Sequence, residues 1–195
     1  MNRVLLTGFE PFNKATLNPS GEVIRRIQHD SLVAKEVLPV TFSSAAKKLI
    51  ELINLHQPDV VISLGQAEGR SQMTPEQVAI NLDDAKIADN AGEIASFRKI
   101  LSDGPDAYFT TLPIRQIVER LQTNGIPASV SLSAGTFVCN HLFYRLQNHC
   151  RNKNILSGFV HLPLMEEQAG EFPGKPTMAI DEIVRGIELV LDVVS

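Results

Sequence analysis

The chain has 195 residues, enough for one domain of ordinary size and short for two. Apolar residues make up 44% and charged ones 21%, close to the soluble globular average, which excludes a disordered chain or a low-complexity fibre. Basic side chains number 18 against 22 acidic ones, a net charge of −4 with no block of Lys or Arg, so no nucleic-acid surface is expected.

The first apolar run, Val4-Leu5-Leu6, is far too short for a secretory core or a membrane span, and the chain reads as cytoplasmic. Arg3 to Thr7 reads as a buried strand that runs into the turn residues Gly8-Phe9-Glu10-Pro11-Phe12. Asn18-Pro19-Ser20 opens a short helix through Ile27, with Ser20 as its N-cap. Glu36 to Phe42 reads as extended. Beyond Ser43-Ser44, the residues Ala45, Ala46, Leu49, Ile50 and Ile53 share one face of a helix that stops before Pro58. Val60 to Leu64 is the clearest strand, a short apolar run closed by Gly65.

Residues 66–106 are less regular: Val78-Ala79-Ile80 forms a strand between loops rich in Asp, Asn and Gly. Tyr108 to Leu112 is extended. Pro113 then starts a helix with the stripe Ile114, Ile117, Val118 and Leu121, ended by Gly125. Ala128 to Leu132 reads as a strand, Thr136 to about Cys150 as a helix, and Ser157 to His161 as a strand. An amphipathic helix from Met178 to Val194 closes the chain.

Alternation of strands and helices predicts a single-domain α/β fold over residues 1–195, a largely parallel twisted sheet with helices on both faces. Ligands of such sheets bind where strand C-termini meet the next helix N-termini. That rule gathers Gly8 to Phe12, Gly65 to Gly69, Ser133 to Cys139 and His161 to Leu164 around one crevice.

Cys139 falls in the first turn of its helix, where unpaired N–H groups and the positive dipole end favour a thiolate and would stabilise an oxyanion. On the same helix, Cys150 lies roughly 16 Å away at about 1.5 Å per residue. A disulfide spans only about 4.4–6.8 Å between Cα atoms, so both are read as free thiols of a reducing compartment. Among the five histidines, His161 closes a strand on the predicted crevice, whereas His141, two residues past Cys139, points away from it. The acid that would orient the imidazole is left open among Glu10, Glu68, Glu76, Asp83, Asp84 and Asp89. No cluster has metal-ligand spacing, and Gly65-Gln66-Ala67-Glu68-Gly69 is neither a Rossmann fingerprint nor a P-loop.

Read together, several segments resemble the pyroglutamyl peptidase I family. They are Leu6-Thr7-Gly8-Phe9-Glu10-Pro11-Phe12, Asn18-Pro19-Ser20, Gly65-Gln66-Ala67, Gly69-Arg70 and Glu76-Gln77-Val78-Ala79-Ile80-Asn81. Asp83 to Asn90, Tyr108-Phe109-Thr110-Thr111-Leu112-Pro113, Ser133 to Asn140 and Phe159-Val160-His161-Leu162-Pro163 complete the set, which runs from Val4 to about Val190. The resemblance implies a cytosolic, usually homotetrameric cysteine exopeptidase that removes N-terminal pyroglutamate from peptides and needs no metal or organic cofactor. It implies a triad of Cys139, His161 and Glu76, the last chosen by the resemblance alone. It also implies that Phe9, Phe12, Gln66, Phe137 and Val138 shape the pocket for the pyroglutamyl ring. Gln77 and Lys86 depart from the family pattern, which has a basic residue and an arginine there. The competing readings are a redox protein using Cys139 and Cys150, and an inactive binding module of the same fold.

Overall fold

A computed structural model describes residues 1–195. In chain order the elements are β1 (Val4–Phe9), α1 (Pro19–Arg26), β2 (Leu32–Leu38), α2 (Ala45–His56), β3 (Val60–Gln66), β4 (Thr74–Pro75), β5 (Val78–Ile80) and β6 (Ala107–Phe109). They continue with α3 (Ile114–Thr123), α4 (Val138–Cys150), β7 (Leu156–Leu162), β8 (Leu164–Met165), a 3₁₀ turn (Glu166–Gln168), β9 (Thr177–Met178) and α5 (Ile180–Val194). The central sheet has the order β2-β1-β3-β7-β4, parallel except for β4, and β5–β6 and β8–β9 form two small ribbons. The fold is a single-domain α/β with a mostly parallel sheet, as the alternation predicts.

Period-two alternation along the strands sorts the core into two layers. Leu6, Ile62 and Val160 face α1, α3 and α5 through Ile24, Ile117, Leu121, Ile183 and Ile187. Their neighbours Leu5, Val61 and Phe159 face α2 and α4 through Leu49, Ile53, Leu142 and Leu146. Because both faces are covered, β1 and β3 are buried along their whole length and read as continuous apolar runs. No helix is long and apolar enough to cross a membrane.

Three local expectations are corrected. Asn18, not Ser20, caps α1: its Oδ1 accepts from the Ser20 amide at 3.0 Å, while the Ser20 hydroxyl accepts from the Phe9 amide at 2.9 Å and so secures the turn after β1. The second strand lies at Leu32–Leu38 rather than at 36–42, because it is an edge strand in register with β1, Val4 opposite Leu32. Most of its residues are only half-buried, and Lys35 and Glu36, on opposite faces, hide the apolar signal, whereas the buried Val40 and Phe42 pack from a loop. Residues 128–132 form no strand. They run beside residues 73–77 through isolated bridges at Ala128 and Ser131, and Pro75, lacking an N–H, interrupts the ladder.

Candidate active site

Three strand ends and one helix start converge as the sheet rule requires. In the register across β3 and β7, Gly65 stands opposite His161, and His161 is in turn opposite Thr74 of β4. Cys139 is the second residue of α4 and lies directly over Gly65. A Cβ at Gly65 would come within 2.8 Å of both the Cys139 Sγ and the Phe159 ring, so only glycine lets the strand pass under the thiol. The first helical hydrogen bond of α4 runs from His141 to the Phe137 carbonyl, which leaves the amides of Val138, Cys139 and Asn140 outside the ladder at the edge of the cavity.

His161 is 4% exposed, and its Nδ1 is 2.7 Å from Oε1 of Glu76, a side chain with no exposed surface. A carboxylate only accepts, so the imidazole carries its proton on Nδ1 and keeps a lone pair on Nε2. Of the six acids the sequence leaves open, Glu76 alone meets His161. Glu10 accepts from Val40 and Asn90, Asp83 pairs with His141 at 2.9 Å, and Asp89 accepts from Phe42, Ala91 and Glu93 amides.

Sequence reasoning missed Arg70. Its Nη1 donates to Glu76 Oε1 at 2.7 Å and to the Thr74 hydroxyl, and its Nη2 donates to the Ser133 carbonyl at 3.0 Å. One guanidinium thus ties the acid to the loop that precedes the nucleophile. A basic residue between Gly69 and a polar turn looks like any solvated arginine; only the depth of Glu76 reveals its purpose.

The electrostatics follow from depth and partners. Burial pushes the Glu76 carboxyl up, but the hydrogen bond and charge of His161, with the nearby Ser131 and Arg70, outweigh it and leave Glu76 below the usual carboxylate range. Burial lowers His161, the Glu76 pair opposes this, and Arg70 lowers it further; the net is a weaker base than free imidazole. Cys139 is pushed up to about 12, first by burial and then by the Glu76 charge, against smaller opposing effects of Arg70 and its own backbone. Burial thus opposes the helix-start effect expected to favour a thiolate, although part of Cys139 remains exposed. Loss of solvent outweighs the dipole here. Cys150, at the other end of α4, is buried against Ser157 and its thiol is also raised.

All five residues expected to shape the pocket line one cavity. Phe9, Phe12, Gln66, Phe137 and Val138 meet there, joined by Asn18, Val40 and Cys139, which the sequence did not single out as lining residues. The Phe12 and Phe137 rings lie 5.9 Å apart, and Phe42 braces Phe137 edge-on at 5.5 Å. The cavity opens into a wider groove walled by Gln66, Arg70, Ser133, Phe137, Cys139 and His161 among others. Phe12, Gln66, Phe137 and Cys139 belong to both, at the neck. Lys86 is exposed and Gln77 half-buried, and neither lines the cavity or the groove. No group of three or more His, Cys, Asp or Glu side chains is placed to hold a metal ion.

A thiol at a helix start, an acid-backed imidazole with Nε2 free and a small apolar pocket suit acyl transfer through sulfur, the chemistry of cysteine-type hydrolases. A family model described as pyroglutamyl peptidase matches residues 2–195. The chain is 48% identical to the pyrrolidone-carboxylate peptidase of Vibrio parahaemolyticus, over 100% of this chain and 93% of that one, and 46% identical to that of Bacillus cereus, over 99% and 93%. The crystal structure of Bacillus amyloliquefaciens pyroglutamyl peptidase I superposes with a TM-score of 0.95 at 42% identity, covering 99% of this chain and 96% of that one. A mutant (A199P) pyrrolidone carboxyl peptidase of Pyrococcus furiosus gives 0.93 at 34% identity, covering 98% and 97%. The chain belongs to the pyroglutamyl peptidase family.

Proposed function

We propose that the chain is a pyroglutamyl peptidase, a cysteine exopeptidase that removes N-terminal pyroglutamate from peptides, with residues 1–195 as its single catalytic domain. The observation that carries the reading is the Glu76–His161 pair at 2.7 Å on the same groove as Cys139, next to a pocket walled by phenylalanines. His161 Nε2 takes the thiol proton as Sγ attacks the pyroglutamyl carbonyl, and Glu76 holds the ring and stabilises the imidazolium. Backbone amides at the start of α4 receive the tetrahedral oxyanion. His161 then protonates the departing amine, and water, deprotonated by the same ring, hydrolyses the thioester. Side chains and water move every proton in this sequence, and no metal or organic cofactor enters it.

Phe9, Phe12, Phe137 and Val138 offer apolar faces for the flat lactam ring, and Gln66 at the neck offers a polar one. Shape alone separates rings of similar size by only about 1–3 kcal/mol, so selection falls to hydrogen bonds with the lactam. A pyroglutamyl amide should be hydrolysed about 10⁴-fold more efficiently than the matching prolyl amide. The test is to compare kcat/KM for the two chromogenic amides with the purified protein; equal values would reduce the pocket to a hydrophobic slot, and no turnover of either would refute the reading. The resemblance further supports a cytoplasmic homotetramer, and a fully active monomer in light scattering at assay concentration would show that assembly is not required.

A further inference from the structure

Gln168 has no exposed surface and lies outside every element that carries the proposed triad, on the 3₁₀ turn after β8. Its side chain makes three hydrogen bonds. Oε1 accepts from the Met165 backbone amide at 3.0 Å, and Nε2 donates to the Leu17 carbonyl at 3.1 Å and to Gln66 Oε1 at 2.9 Å. Two of these partners are main-chain groups whose roles cannot reverse. If the Gln168 amide turned over, its NH₂ would face the Met165 N–H and its oxygen would face the Leu17 oxygen. Its orientation is therefore fixed by the backbone, and it meets Gln66 with a donor. A turned-over Gln66 would set NH₂ against NH₂ in a buried place, so Gln66 must offer its oxygen to Gln168. What remains for the pocket is the Gln66 NH₂ group, on a side chain that lines both cavity and groove.

We propose that Gln168 is a positioning residue for substrate recognition: it locks the Gln66 amide so that its NH₂ faces the pocket and donates to the lactam carbonyl of the pyroglutamyl ring. The proposal rests on the pyroglutamyl-peptidase reading and adds to it a direction, donor rather than acceptor, and the residue that sets it. Leu17 directly precedes Asn18, another lining residue, so the same glutamine also joins the loop ahead of α1 to the end of β3. Lactam recognition is thereby assigned in part to Gln66 as a donor to C=O, and the lactam N–H is left to a backbone acceptor.

A double-mutant cycle tests this. With a pyroglutamyl amide, Gln168→Met should raise KM about tenfold with kcat little changed, because one oriented hydrogen bond is lost. In a Gln66→Met background the same substitution should change neither constant. Equal effects in both backgrounds, or a loss confined to kcat, would overturn the proposal, the first by showing a general packing role and the second a role at the oxyanion. Should Gln168→Met fail to fold, Gln66→Glu gives the answer without disturbing the buried turn, since its carboxylate still accepts from Gln168. It should raise KM by a similar factor, whereas unchanged KM would mean that the pocket uses Gln66 as an acceptor. Wild-type protein inactive on pyroglutamyl amides would remove the functional reading itself; active wild type with an additive cycle would remove only the role of Gln168.

Discussion

At the scale of single residues, the two cysteines make the sharpest contrast. Cys139→Ala should lower kcat/KM by about 10⁴-fold or more while the melting curve stays close to wild type, because the side chain lost is small and only partly buried. Cys150→Ala should leave turnover nearly unchanged; comparable losses in both would break the assignment. Arg70 sets a subtler test. Its charge lowers His161, so Arg70→Met should move the acid limb of kcat/KM to higher pH, and Arg70→Lys, which keeps the charge but not the fork to Glu76 and Ser133, should move it back part of the way. An unmoved limb would confine Arg70 to holding the loop. The depressed groups also make the fold acid-sensitive. His161 sits below its unfolded value of 6.5 and Glu76 below 4.5, so the unfolded chain binds more protons in these ranges and stability falls as pH falls. Melting temperature should drop on going from pH 7.5 to 5.5, and less so for His161→Asn; a flat profile would mean that His161 is not buried neutral.

Elements decide how those residues meet. The strand β3 was legible because an apolar run ended in glycine, and α4 because an apolar stripe followed a Ser-Ala-Gly-Thr turn. From these two alone the thiol could be placed at a helix start, and His161 followed from the strand that ends beside it. Glu76 could not be reached in this way. It comes from an irregular stretch anchored by the two-residue β4 and by bridges across Pro75, and so short a pairing leaves no periodic trace. Asn18 and Arg70 escaped for a related reason: capping and ion pairing depend on what lies across space, which no local window contains. The crossing of β3 under α4 can be probed directly. Gly65→Ala forces a methyl against the thiol and the Phe159 ring, and should cost about 1–3 kcal/mol of stability and most of the activity. An active, stable Gly65→Ala would mean that the thiol does not need its present seat.

For the molecule as a whole, layer order and helix placement were legible from alternation alone, while assembly was not. The buried side of α5, with Ile183, Ile187, Val190 and Leu191 wholly enclosed, is spent on the core it shares with α1, α3 and the sheet, and of its apolar residues only Val184, Leu189 and Val193 remain partly exposed. Exposed apolar side chains lie elsewhere, among them Ile94, Phe97 and Leu132 in loops, Phe109 on the short edge strand β6 and Leu55 near the end of α2. Such scattered residues carry no sequence period, which is why the oligomeric state rests on family resemblance.

A thiol held near 12 has one more consequence. Peroxides attack the thiolate, and sulfenic acid forms only as fast as that anion is available. Because burial and the Glu76 charge raise this thiol, hydrogen peroxide should inactivate the protein more slowly than it oxidises free cysteine, and the rate should rise on the alkaline side. The same surroundings that raise the Cys139 thiol, its partial burial and the Glu76 charge, slow its oxidation between turnovers.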